Sequence, residues 1–121
     1  MQRIAAFALA AGLAFGPAVP AAATEFRVVT DRSEFLGLIE GRELRRFGIR
    51  LTVTPDGDIG GSGFGFDVFG QWEWDGNFFC RDLGYGNTEL GFNCQLVAVR
   101  DDTIRFVADR GQGDHADFRL R

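Results

Sequence analysis

The sequence predicts a mainly β fold: a small antiparallel up-and-down barrel, or a strongly curved sheet, of about seven or eight strands with one short N-terminal helix. Three observations carry that expectation. From Arg42 onward apolar and polar residues alternate with period two, as in strands with one buried face. Turn signals recur about every eight to twelve residues, the spacing of a hairpin meander. Glycines at 60, 61, 63, 65 and 70 fall inside the strand pattern, where the lack of a Cβ lets a strand bend at a barrel corner. A flatter open sheet packed against the helix is the alternative.

Residues 1–23 come first and read as a signal peptide. Arg3 precedes an uncharged stretch from Ile4 to Ala23, apolar from Ile4 to Phe15, ending in Ala21-Ala22-Ala23 after Pro17 and Pro20. A positive start, an apolar middle and small residues before the cut are what the export peptidase needs. A membrane anchor would need about 20 unbroken apolar residues, and Gly16-Pro17 interrupts the run. Cleavage after Ala23 leaves 24–121 as a single β-rich domain of about 100 residues, expected to be periplasmic or secreted and without a membrane span.

The chain carries a formal net charge of −4, and all 13 basic residues are arginine. Removal of Arg3 makes the mature part more acidic still. No concentrated basic surface exists for phosphate neutralisation, which argues against nucleic-acid or anionic-membrane partners. The 13 Phe, 2 Trp and 1 Tyr supply enough buriable area for a core.

The mature elements follow in order. Phe26 to Thr30 reads as an edge strand. Asp31 can cap a helix start with Glu34 three residues on. Phe35, Leu36, Leu38 and Ile39 give that helix one apolar face, and Gly41 suits a left-handed C-terminal cap. Ile49, Leu51 and Val53 alternate with Arg50, Thr52 and Thr54, and Pro55-Asp56-Gly57 forms a tight turn. Ile59 to Phe66 is expected as a glycine-rich strand, Val68 to Trp74 as the next, with Asp75-Gly76 turning into Asn77 to Asp82. Cys94 to Val99 and Thr103 to Val107 make a hairpin about Arg100-Asp101-Asp102, and Phe118 and Leu120 close the series.

Cys80 and Cys94 form the expected disulfide of an exported domain; a redox pair would need closer C-x-x-C spacing. Two Cys and one His cannot complete a closed zinc site without carboxylate help, so no metal is assigned. Between the cysteines lies a glycine-rich stretch expected to be the longest irregular loop. It is either a recognition loop presenting Arg81, Tyr85, Asn87 and Glu89 or a plain connection. Gly61-Ser62-Gly63-Phe64-Gly65-Phe66 lacks the third glycine and the following helix of a dinucleotide fingerprint, and no cofactor is expected. Trp72 and Trp74, two apart on one strand face, either line the core or make a stacking platform for a ligand such as a sugar. Asp109, Asp114, His115 and Asp117 collect in a glycine loop as weak acid/base or cation candidates, with a solvated hairpin loop as the competing reading. No nucleophile is marked to accompany His115.

Phe78–Leu83 (FFCRDL), Gly91–Gln95 (GFNCQ) and Ile104–Asp114 (IRFVADRGQGD) resemble segments of a family of small exported bacterial proteins of unknown activity, over most of the mature chain. Members are sometimes labelled dihydrodipicolinate reductase, a longer cytoplasmic enzyme on a nucleotide-binding fold; the glycine fingerprint that label requires is absent here. The resemblance therefore implies export and no functional residues. The expected role is a binding or interaction module for an unknown small molecule, saccharide or envelope protein. The alternatives are a small hydrolase or lyase using His115 with Asp114, Asp117 or Glu89, and a structural role in the envelope.

Overall fold

The computed structural model describes residues 25–121; the leader expected at residues 1–23 lies outside the described residues. The described elements are β1 (Arg27–Val29), α1 (Arg32–Ile39), β2 (Leu44–Arg46), β3 (Ile49–Val53), β4 (Asp58–Gly63), β5 (Phe66–Asp75), β6 (Phe78–Tyr85), β7 (Thr88–Arg100), β8 (Thr103–Val107), the single turn α2 (Ala108–Gly111) and β9 (His115–Leu120).

Every strand from β2 to β9 pairs antiparallel with its neighbour in sequence. β9 then returns to β2, with Leu120 opposite Leu44, so eight strands close into an up-and-down barrel and the open-sheet alternative falls. Closure removes the exposed edges that an open sheet would have to protect. β1 stands outside the barrel. It lies along β7 beyond the start of β6, with Val29 opposite Val97 while Phe79 of β6 is opposite Gln95.

The short β1 and α1 close one end. Asp31 caps α1 by accepting from the Ser33 N–H at 3.2 Å, which satisfies one of the amides a helix start leaves free. Glu34, expected to complete a capping box, pairs with Arg27 instead. Arg32 donates to the Pro55 carbonyl at 3.0 Å, tying the helix to the β3–β4 turn. Phe35 is wholly buried and meets Trp72, Trp74 and Phe79 at ring-centroid distances of 5.3, 5.2 and 5.1 Å. The helix thus plugs the barrel with one aromatic ring.

Strong curvature depends on close backbone approach at two glycines. A Cβ on Gly61 would stand 2.0 Å from the Arg50 carbonyl oxygen, and one on Gly70 2.2 Å from that of Asp82. Only glycine lets neighbouring strands come this near.

Two expectations are corrected. The strand expected from Ile59 to Phe66 ends at Gly63, and β5 begins at Phe66. The turn uses Phe64 at φ 50° and Gly65 at φ 88°, mirror-type geometry that usually selects Asn-Gly; a phenylalanine there carries no turn signal. The stretch between the cysteines is no irregular loop. It is the β6–β7 hairpin, with Tyr85 opposite Thr88 about a two-residue turn and a register shift at Leu83–Gly84. Its glycines serve the turn and the bulge, which made strand look like loop.

Candidate functional site

Alternation along the strands sends Phe79, Arg81, Leu83 and Tyr85 of β6 inward, and β3 and β5 answer with Leu51, Val53 and Val68. These side chains do not fill the interior. They enclose a cavity of about 470 Å³ that runs from Phe79 near the helix plug to exposed Phe64, Leu90, Asp114 and His115 at the opposite mouth. That volume falls within the roughly 300–1,000 Å³ typical of small-molecule sites, and an eight-stranded barrel is about the smallest that can hold one ligand.

The wall is mostly aliphatic and aromatic, with Arg81 and Gln95 as its inner polar groups. Arg81 donates from Nη1 to the Gly91 carbonyl across the hairpin at 2.7 Å. Burial holds its guanidinium below the ordinary arginine value, against the opposing pull of the neighbouring Asp82 carboxylate. Asp82 is exposed on the outward face. Among the described residues no carboxylate forms an ion pair with Arg81.

The mouth combines apolar Phe64 and Leu90 with polar Asp114 and His115. Phe64 and Leu90 are 60% and 50% exposed, large hydrophobic groups left in water at the rim. Tyr85 is half-buried there and packs edge to face on Phe66 at 6.3 Å. Phe64 is held by its amide, which donates to the Gly48 carbonyl at 2.8 Å, and its ring covers the place where a Gly48 Cβ would stand.

The other sequence candidates scatter. Asn87 is exposed in the β6–β7 turn. Glu89 borders a shallow hollow of about 220 Å³ on the outer face with Asp82 and Gln71, away from the lumen. The recognition-loop set is therefore split, with Arg81 and Tyr85 inside and Glu89 outside. Trp72 is buried, its indole N–H donating to the Thr54 carbonyl at 2.8 Å, and both Trp72 and Trp74 pack on Phe35. Their rings take the core role rather than form an open platform.

Asp109, Asp114, His115 and Asp117 do not converge either. Asp109, at φ 55°, is clasped by Asn93, which donates to its carboxylate at 2.8 Å and accepts from its amide at 3.1 Å. Asp117 holds Arg105 through two hydrogen bonds of 2.7 and 3.0 Å across β8–β9. That contact pulls the Asp117 carboxyl below its usual range and raises the Arg105 guanidinium. Arg105 also lies over the Phe26 ring at 4.0 Å, with Arg100 over the same ring at 4.4 Å. Only Asp114 shares the mouth with His115. Among the described residues no three His, Cys, Asp or Glu side chains form a set able to hold a metal ion.

Sequence reasoning named Arg81 and Tyr85 for the wrong structural reason and missed Leu51, Val68, Leu83, Leu90 and Gln95. Period-two alternation marks the inward faces. It does not reveal whether the inward side chains meet at the centre or leave space.

The Cys80–Cys94 disulfide joins directly opposed residues of β6 and β7. Cys80 alternates with the inward Phe79 and Arg81, so the bridge points away from the lumen, where Cys80 is nonetheless covered and only 1% exposed. No helix of the described residues is long and apolar enough to cross a membrane. Searches of protein-family models, curated proteins and solved structures find no match to the chain.

Proposed function

We propose that this chain is an exported binding protein that takes one small, largely apolar molecule into the lumen of its barrel. The observation that carries the reading is the 470 Å³ cavity with a mostly apolar wall and with Phe64 and Leu90 exposed at its mouth. Burying apolar ligand surface there removes it from water at roughly 25 cal/mol per Å², against a wall already held in place by a closed sheet. A saccharide would need several hydroxyl partners, and the wall offers few polar groups. Export rests on the leader pattern of residues 1–23 and on the disulfide, which persists in oxidising compartments. Membership of the small exported family that the Phe78–Leu83, Gly91–Gln95 and Ile104–Asp114 segments resemble belongs to the same proposal.

The test is saturable uptake of Nile red, a neutral apolar dye, by the oxidised mature protein, compared with Ala116→Phe, which places a ring in the lumen. Uptake by the wild type, lost in a variant whose unfolding midpoint shows it folded, supports lumen binding. No uptake, or uptake indifferent to the substitution, refutes it. For export, mass spectrometry of the protein recovered from the periplasm or medium should give a first residue of Thr24.

A further inference from the structure

We infer that the ligand is an apolar molecule carrying one anionic group, bound with the anion at Arg81 and the apolar part against the aliphatic wall of the lumen. The inference rests on the lumen-binding reading and specifies its ligand. It follows from where the lumen's charge sits. Phe79 packs against the Phe35 plug, Arg81 is the next inward residue of β6, and Leu83 and Tyr85 lead to the mouth. Arg81 thus springs from the lumen wall above the plug and reaches toward the mouth as far as the Gly91 carbonyl opposite Leu83, with aliphatic and aromatic side chains around it.

A guanidinium lining an apolar cavity is costly without a counter-charge. Here the Gly91 carbonyl takes one of its five N–H donors, and among the described residues no carboxylate pairs with it. Asp82, its neighbour in the chain, faces outward, and Asp114, the carboxylate among the residues lining the lumen, is exposed at the mouth. A ligand carboxylate would supply the missing charge through charge-assisted hydrogen bonds, which gain strength where water is excluded. Gln95, paired with Phe79 one step deeper and also lining the lumen, adds an amide donor on the same side. Leu51, Val68, Leu83, Leu90 and Phe64 would cover the chain or ring attached to the carboxylate. An apolar molecule with no charge would leave Arg81 uncompensated, and a cation would be repelled by it.

The experiment is calorimetric titration of the oxidised protein at pH 8 with decanoate, decanol and decylammonium, each below its aggregation limit. Decanoate is expected to bind at least tenfold more tightly than decanol, and decylammonium most weakly. Arg81→Met should erase the preference for the acid while decanol binding persists, and Arg81→Lys should retain part of it. Decanol binding as tightly as decanoate in the wild type overturns the inference, and that ranking decides the matter even where Arg81→Met fails to fold. Nile red uptake without an acid preference removes the anion and leaves the lumen reading standing. Failure of all three ligands together with the dye removes both.

Discussion

Phe35 and Trp72 meet edge to face with ring centroids 5.3 Å apart, at the end of the barrel that α1 covers. The two rings belong to elements 37 positions apart in the chain, so their contact is a long-range lock between the helix and the sheet.

Phe35→Ala should remove that lock. The ring is wholly buried and touches four other aromatics, Phe106 at 6.5 Å being the fourth, so the site has little room to collapse around the deletion. Such truncations cost roughly 3–5 kcal/mol, a large share of the 5–15 kcal/mol that holds a small domain together. Thermal unfolding followed by near-ultraviolet circular dichroism should show Tm lowered by more than about 10 °C. A shift of only a few degrees would mean that the plug is dispensable.

The two tryptophans should respond differently to replacement by phenylalanine. Trp72 donates its indole N–H to the Thr54 carbonyl at 2.8 Å and carries Arg32 over its ring at 5.5 Å. Trp72→Phe therefore loses a buried hydrogen bond as well as volume, and should cost about 1–3 kcal/mol. Trp74 buries its indole N–H with no hydrogen-bond partner among the described residues. Trp74→Phe removes that desolvated donor, which offsets the lost packing, and should fall within about 1 kcal/mol of wild type. Urea unfolding of the two variants decides it, and equal losses would contradict the difference in hydrogen bonding.

Much of this fold was legible because the alternation from Ile49 to Val53 and from Thr103 to Val107 and the turns at Pro55-Asp56-Gly57 and Asp75-Gly76 follow rules in which local chemistry sets local shape. Asp31 and Gly41 likewise marked the two ends of α1. The Phe64-Gly65 turn was not legible. Tertiary contacts, the Gly48 carbonyl and the space above Gly48, hold a residue whose own preference is against that conformation. The lumen was hidden for a different reason. Arg81 and Leu83 look like loop residues among glycines until pairing with β5 and β7 fixes which way they face, and an internal void depends on the whole ring of strands.

The Arg105–Asp117 pair sets an acid limit on part of the stability. Its folded-state Asp117 pKa lies below the unfolded value of about 3.9. Its stabilisation is therefore present above that unfolded value and fades as pH falls through the lower folded one. Both side chains are about a third exposed, so solvent screening keeps the contribution to roughly 1 kcal/mol or less. Asp117→Asn should be less stable than wild type by that amount at pH 7 and no less stable near pH 2. Denaturant midpoints at the two pH values measure this, and a gap that persists in acid would show that the pair acts through packing rather than charge.

Substitutions at Gly60 and Gly70 should separate curvature that needs glycine from glycine that is merely present. A Cβ on Gly60 would find nothing within 4 Å, and its backbone is not left-handed. Gly60→Ala should be neutral, or stabilising by up to about 1 kcal/mol through the loss of unfolded-state freedom. A Cβ on Gly70 would stand 2.2 Å from the Asp82 carbonyl oxygen and 3.0 Å from Leu83 Cδ1, so β5 and β6 would have to part. Because the sheet is closed, that displacement cannot dissipate at an edge and must pass around the barrel to the β9–β2 seam. Gly70→Ala should therefore lose more than about 2 kcal/mol in urea unfolding and should also weaken uptake of Nile red, since Leu83, the residue it would push, lines the lumen. A Gly70→Ala protein as stable as wild type would show that the strands separate freely there and that the close approach does not set the barrel's shape.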